Sequence, residues 1–274
     1  MHQCVINKIA IGGDAPIRIM GVINCSYESF YHDSYIPTNE VHKKAVEMIE
    51  QGADIIDLGA RSTAPNAQAI SGAEEASRID AALKELDGTG FTISVDTMNP
   101  WVLEVCLKHG IHAANDISGL SSPAYAKRVA ESGLPAILMA ANYNTGDAVG
   151  LDATMATLQT VVGRCEAAGI DNYVLDPGVG YWNPLRTLDN DWELCQNYER
   201  FSEFGRPVLA AISRKSFIGN LLKKEPEDRL AGSLAVTMVL LQKGASVVRT
   251  HDVAPTRDLI AVFERMVKNR EHLL

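Results

Sequence analysis

The stretch SVDTMNP, residues 94–100, decides how the chain is read. Ile93 to Val95 form a short apolar run that suits a buried strand. The run ends on an acid, Asp96, just before a helix start. The same ending recurs in DIIDLG (54–59), AANDISG (113–119) and YVLDPGVG (173–180). Four apolar runs stop on polar groups, and one architecture has to explain all four.

Working outward, eight strand candidates emerge: RIMGVIN (18–24), DIIDLG (54–59), TISVDT (92–97), AANDIS (113–118), PAILMAA (135–141), YVLDPG (173–178), VLAAIS (208–213) and SVVRTH (246–251). Amphipathic stretches between them predict helices near 38–51, 71–87, 99–109, 122–132, 151–168, 189–204, 228–243 and 255–269. Thr38 with Glu40, and Ser71 with Glu74, read as helix starts, while Gly52, Gly110, Gly169 and Gly244 read as helix ends. At the start, CVINKIAIGGDAPIRIM reads as a hairpin whose two β-rich runs flank Gly12-Gly13-Asp14. Eight strands, each followed by a helix, predict a (β/α)8 TIM barrel with an N-terminal β-hairpin, residues 1–274 forming a single domain. A doubly wound open sheet shows the same alternation, and the strand count is what separates the two.

With 274 residues the chain suits one such barrel, which runs to about 250 residues. Apolar residues make up 46%, enough for a sizeable core. A net charge of −9 argues against a nucleic-acid surface, though not against a locally basic pocket. Cys4, Cys25, Cys106, Cys165 and Cys195 show no zinc-like spacing and read as reduced thiols of a cytoplasmic protein. No apolar run reaches the roughly 18 residues of a membrane span, and the start does not read as a signal peptide.

In a parallel barrel, ligands sit at the C-terminal ends of the strands. A polar residue ending a strand there points at the site. Asn24, Asp57, Thr63, Asp96, Asn115, Asp176, Ser213, Lys215, Arg249 and His251 all fall at or just past such ends. Asp and Asn also cap helices and turns, and Asp57 and Asp116 suit a structural role. Capping does not account for Lys215, Arg249 and His251 on the same rim. Carboxylates and amides can read a heterocycle rich in N–H donors. Arg249, His251 and Asn24 can hold an anion or a metal-bound phosphate. The set predicts an enzyme whose substrate joins a polar heterocycle to an anionic tail. His109 and His112, beside Gly110, read as structural. His32 lies on the first loop within reach of substrate. Trp101, Trp182 and Trp192 read as packing or rim residues, with Trp182 placed nearest a site by the loop after Asp176.

Several of these runs follow a known order. IMGVIN (19–24), DIIDLGARSTAP (54–65), SVDT (94–97), NDISG (115–119), LDPGVG (175–180), SRKSFIG (213–219), DRLAGSLA (228–235) and VRTHDV (248–253) resemble the dihydropteroate synthase and pterin-binding barrel family, over nearly the whole chain. The resemblance implies a transferase that joins hydroxymethyl-dihydropterin pyrophosphate to p-aminobenzoate and releases pyrophosphate. It implies that Asp96, Asn115, Asp176 and Lys215 bind the pterin, with Ser213 beside them, and that Asp96 steadies positive charge as the C–O bond breaks. Asn24, Arg249 and His251 would hold the pyrophosphate, with Mg²⁺ at Asn24. Thr63, Pro65 and Ser216 would line the aryl-amine side. A homodimer is implied as well.

The loops depart from that pattern. Where the family reads Asn-x-Thr-Pro-Asp-Ser-Phe, this chain has Asn24-Cys25-Ser26-Tyr27-Glu28-Ser29-Phe30. Where it reads Glu-Ser-Thr-Arg-Pro-Gly, the chain has Arg61-Ser62-Thr63-Ala64-Pro65-Asn66, so the loop arginine that the resemblance assigns to pyrophosphate is Ala64, and Arg61, in the glutamate's place, either substitutes for it or points elsewhere. Leu138-Met139-Ala140-Ala141-Asn142-Tyr143 and Tyr181-Trp182-Asn183 are also rewritten. A lost guanidinium–phosphate contact removes roughly 1.5–3 kcal/mol. Three other readings follow. One is a pterin-dependent methyltransferase served by a corrinoid protein, for which the lysine is unusual. Another is a synthase that takes a modified aryl amine, and the third is a non-catalytic pterin-binding protein.

Overall fold

The computed structural model describes residues 2–26, 35–62 and 69–268. His32 and the second-loop residues Thr63, Ala64 and Pro65 lie outside them. The chain begins with a hairpin of β1 (Cys4–Ile6) and β2 (Ile9–Ile11), with Cys4 opposite Ile11. Its turn is Asn7-Lys8, both at positive φ, 44° and 70°, as a two-residue hairpin requires. Gly12-Gly13-Asp14, expected as the turn, instead follows β2. The register explains the difference, because it puts Cys4, Ile6 and Ile11 together in one buried cluster.

Eight parallel strands follow: β3 (Arg18–Asn24), β4 (Ile55–Gly59), β5 (Ile93–Asp96), β6 (Ala113–Asp116), β7 (Ala136–Met139), β8 (Tyr173–Asp176), β9 (Leu209–Ala210) and β10 (Val247–Thr250). Their order is β8-β7-β6-β5-β4-β3-β10-β9. A parallel bridge from Leu175 of β8 to Val208, the residue before β9, joins the two edges. The sheet therefore closes into the expected barrel, and the open-sheet alternative is excluded.

Around it pack α1 (Val41–Gln51), α2 (Gly72–Lys84), α3 (Pro100–Cys106), α4 (Pro123–Ser132), α5 (Gly150–Ala168), α6 (Leu188–Gln196), α7 (Ser216–Leu222), α8 (Leu230–Gln242) and α9 (Val253–Lys268). Ser71 caps α2 by accepting from the Glu74 N–H at 3.1 Å, as its spacing predicts. Thr38 does not cap α1. It opens a 3₁₀ turn, and α1 starts at Val41 without a side-chain cap. The segments expected at 99–109 and 189–204 each divide into an α-helix followed by a 3₁₀ turn. Helix α7 was not anticipated: seven residues are too few to display a helical period, and no side chain caps it. No described helix is long and apolar enough to cross a membrane.

The core has two parts. The larger lies between the barrel and its helices. The smaller fills the lower barrel, where Met20, Ile55, Ala113, Ile137, Val174, Leu209 and Val247 meet Cys4, Ile6 and Ile11 of the hairpin. The hairpin therefore plugs the N-terminal end. It is pinned there by reciprocal bonds between Val5 and Asn172, both 2.8 Å, and by Asn7 donating to Thr92 Oγ1 at 3.0 Å. All five cysteines are buried and free, and burial pushes each thiol up to about 12. They stay protonated and act as small apolar side chains.

Candidate active site

Side chains alternate along a strand, so every second residue after the inward apolar layer also points inward. Above Val247 this places Arg249 and His251; above Met20 it places Val22, Asn24 and Ser26; above Ala113 it places Asn115 and Ile117. These residues line one cavity of about 110 Å³ at the C-terminal end of the barrel. Asp96, Asp176, Ser213 and Lys215 line it too. Of the described strand-end residues expected at the site, only Asp57 is absent from the lining. It lies just beneath, with no exposed surface.

Asp57 anchors the floor. It accepts from Arg249 Nε at 2.7 Å and from Asn115 Nδ2 at 3.0 Å, both on Oδ2. Arg249 also donates from Nη2 to Asp96 Oδ2 at 2.8 Å. One guanidinium thus serves two carboxylates. Burial works against the Arg249 charge, but Asp57 and Asp96 more than offset it and leave its pKa above the usual arginine value. The second carboxylate bears the cost. Burial pushes Asp96 up to about 7, with Arg249 opposing and Asp57 adding to the rise. Asp176 is also raised by burial, against the Gly178 N–H that it accepts at 2.8 Å and against Lys215. Burial lowers Lys215, and Asp176 opposes that shift. Burial, then the neighbouring Arg249 charge, depress His251 to about 4, so its imidazole is neutral at pH 7. Ser213 Oγ lies 3.1 Å from its Nδ1 and accepts from its backbone N–H at 3.3 Å.

The loops carry a second set of contacts. Arg214, at φ +56° between Ser213 and Lys215, grips Asp252 through two bonds of 2.9 and 2.7 Å and donates to the carbonyls of Pro226 and Glu227. This clamp ties the loop after β9 to the one after β10. After β8, Asp191 Oδ1 accepts from the Gly180 N–H at 2.8 Å and from buried Arg186 at 3.1 Å. Trp182 is bonded to the Gly178 carbonyl at 2.8 Å and stands over the cavity with its ring 4.8 Å from Lys215 Nζ.

Thr63 and Pro65 fall outside the described residues. Ser216 is placed differently from the rest. It opens α7 and lines a neighbouring surface groove with Tyr181 and Gly219, not this cavity. Asp116 takes the structural role open to it, accepting from the Ser118 and Leu120 N–H groups at 2.7 and 2.8 Å. His109 bridges Asp80 and Asp87 at 3.1 Å each, and His112 accepts from the Ile93 N–H. Both are structural, as expected. Trp182, expected nearest a site by its loop, lines the cavity, as do Arg61 and Ser62 of the rewritten second loop. Continuing the alternation past each strand end would have found Ser26 and Ile117, but not residues carried on loops.

The family profile described as "Pterin binding enzyme" matches residues 20–251, from β3 to just past β10. The chain belongs to this pterin-binding enzyme family. Among curated pterin-binding enzymes, the dihydropteroate synthase of Escherichia coli is 35% identical over 269 residues, covering 93% of each chain. A solved dihydropteroate synthase from Coxiella burnetii, in complex with pteroic acid, superposes with a TM-score of 0.86 at 30% identity, covering 97% of this chain and 98% of that one. Another, from Xanthomonas albilineans with 4-aminobenzoic acid, gives 0.83 at 32% identity, covering 96% and 97%.

Proposed function

We propose that the chain is a dihydropteroate synthase: it transfers the dihydropterin-methyl group of a pterin diphosphate ester to the amine of p-aminobenzoate and releases diphosphate. One observation carries the reading. Asp96, Asn115, Asp176 and Lys215 meet in a single cavity with Arg249 and His251, in a chain whose full-length relatives are synthases. The amino-pyrimidine edge of a pterin offers N–H donors, and Asp176 and Asp96 are acceptors for them. Lys215 and Asn115 are donors for the ring nitrogens and carbonyl. Trp182 forms one wall.

The reaction breaks the methylene C–O bond and forms a C–N bond to the arylamine. The pair from the C–O bond leaves with the diphosphate, and the amine gives up one proton. A fixed carboxylate at Asp96 favours the positive charge that grows on the methylene carbon. Arg249 and His251 face the departing oxygens. Because His251 is neutral, it serves as a hydrogen-bond donor: in the tautomer whose Nδ1 accepts from the Ser213 hydroxyl 3.1 Å away, Nε2 carries the proton that the anion can accept.

The donor set also fits magnesium in a limited way. Among the described residues no cluster of three or more His, Cys, Asp or Glu can hold a metal. The amide oxygen of Asn24 at the cavity wall suits a hard cation that arrives on the diphosphate and keeps most of its water. Such an ion supplies charge neutralisation to the leaving group.

A homodimer is supported by α8, whose sequence LAGSLAVTMVLLQ carries no charge and exposes Ala231, Ala235 and Val239 along one face. Sedimentation at micromolar concentration tests it. The activity itself is tested by pyrophosphate release from hydroxymethyl-dihydropterin pyrophosphate with Mg²⁺, with and without p-aminobenzoate. Amine-dependent release is expected. Pterin binding with no release in the presence of the amine refutes the synthase reading.

A further inference from the structure

Among the described residues that line the cavity, three are cations: Arg61, Lys215 and Arg249. Two are committed. Arg249 is bonded to Asp57 and Asp96 at 2.7 and 2.8 Å, and Lys215 sits between the Trp182 ring and the field of Asp176. Arg61 is different. Its ion pair is a 4.0 Å approach of Nε to Glu75 Oε2, at the outer limit for such a pair, and its side chain keeps 25% of its surface exposed. Glu75 meanwhile accepts from Thr97 Oγ1 at 2.6 Å on its other oxygen.

The register fixes where this guanidinium enters. Arg61 follows Gly59 by two residues. Gly59 stands opposite Asn24 of β3 on one side and Asp96 of β5 on the other. Arg61 therefore enters the cavity wall between the strands that carry Asn24 and Asp96, and lines the same cavity as Asn24, the residue assigned above to the magnesium diphosphate. The chain as a whole carries a charge of −9, so a trianionic ligand gains nothing from its long-range field. It needs local cations at the mouth, and a planar guanidinium can bind phosphate oxygens in pairs.

We propose that Arg61 binds the diphosphate end of the pterin substrate and is a specificity-determining residue of this chain. The inference rests on the synthase reading. The competing role for Arg61 is to neutralise buried Glu75 and nothing more. The test uses the full-length protein with Arg61→Met and Arg61→Lys. Calorimetry with inorganic diphosphate and Mg²⁺ is run beside calorimetry with hydroxymethylpterin, which lacks the diphosphate. Loss of a charge-assisted pair predicts a ten- to hundredfold weaker diphosphate affinity in Arg61→Met, a smaller loss in Arg61→Lys and pterin affinity within twofold. The KM of the diphosphate ester rises in parallel.

Unchanged diphosphate affinity with a lowered Tm overturns the proposal in favour of Glu75 neutralisation. A raised KM for the arylamine alone overturns it by assigning Arg61 to the other anion. If Arg61→Met fails to fold, Arg61→Met with Glu75→Gln removes both charges, and the same titrations decide. A wild-type protein that neither binds pterin nor releases diphosphate refutes the synthase reading. A wild-type protein that turns over, with a variant that keeps its diphosphate affinity, refutes this inference alone.

Discussion

Asp96→Asn separates the cost of a buried carboxylate from its use. Burial pushes Asp96 up to about 7 although Arg249 lies 2.8 Å away. A raised carboxylate pKa means that the folded protein keeps a proton that the unfolded chain, titrating near 3.8, has lost. The stability this contributes is fully present below about pH 4 and fades as pH rises through 7. At about 1.4 kcal/mol per pH unit, the interval from 3.8 to about 7 sets a ceiling of roughly 4–5 kcal/mol at pH 8. Asn carries no such cost, so Asp96→Asn should melt above wild type at pH 8, with the gap closing toward pH 5. Ligand binding runs the other way. The pterin N–H donors need the carboxylate, so wild-type pterin affinity should fall about tenfold per unit below pH 7. Asp96→Asn should lose ten- to hundredfold at pH 8, the worth of a charge-assisted bond of roughly 1.5–3 kcal/mol. It should also lose the pH dependence. Thermal melts and pterin calorimetry at pH 5.5, 7 and 8 measure both. A wild-type affinity flat across that range refutes the assignment of Asp96 as pterin acceptor, and so does an Asp96→Asn protein that binds as tightly as wild type.

Arg249→Met should cost about 3–5 kcal/mol, because it strands Asp57, which has no exposed surface. Adding Asp57→Asn should restore much of the Tm without restoring turnover, and a double-mutant cycle reads the coupling. Gly180→Ala should lower Tm and weaken pterin binding: Gly180 sits at φ +140°, and an added Cβ would lie 2.9 Å from Lys215 Nζ. A crystal or NMR comparison that finds Lys215 unmoved would assign the whole loss to backbone strain of about 1–2 kcal/mol. Trp182→Ala should weaken pterin binding about three- to tenfold, from a cation–π contribution of roughly 0.5–2 kcal/mol and the lost wall, whereas Trp182→Phe should keep most of it.

What the sequence made legible was whatever repeats every two residues. Arg249 and His251 could be aimed at the site because Val247 is buried two positions earlier in a run too apolar to be anything but a strand. The pairing of Arg249 with Asp57 was not legible, since it spans 192 positions and exists only because the barrel closes. That pairing also explains why Asp57 looked structural: it supports the floor from just beneath the cavity. The hairpin turn was misplaced because Gly12-Gly13 is the stronger turn signal, yet only the Asn7-Lys8 turn brings Cys4, Ile6 and Ile11 to bear on the open end of the barrel. For Arg61 and Trp182 the sequence places the loop but not the direction of the side chain. They ride on loops, where no period tells which way a side chain points.

The layering also orients a substrate with two unlike ends. Near the floor, three carboxylates, Asp57, Asp96 and Asp176, face two cations, Arg249 and Lys215, so the deep cavity is acidic once Asp96 ionises. A diphosphate driven downward would meet that surplus and lose its water beside carboxylates that repel it. The neutral pterin edge, rich in N–H groups, meets acceptors there instead. At the mouth the balance reverses. His251 is kept neutral by burial and by Arg249, so it adds a donor with no charge of its own, and Arg61 supplies the loosely held positive one. The polarity gradient along the barrel axis therefore selects one of two end-to-end orientations before any contact is optimised. It leaves the methylene carbon between a carboxylate at Asp96 and the cationic rim, where cleavage of its C–O bond separates charge in the direction the protein already favours.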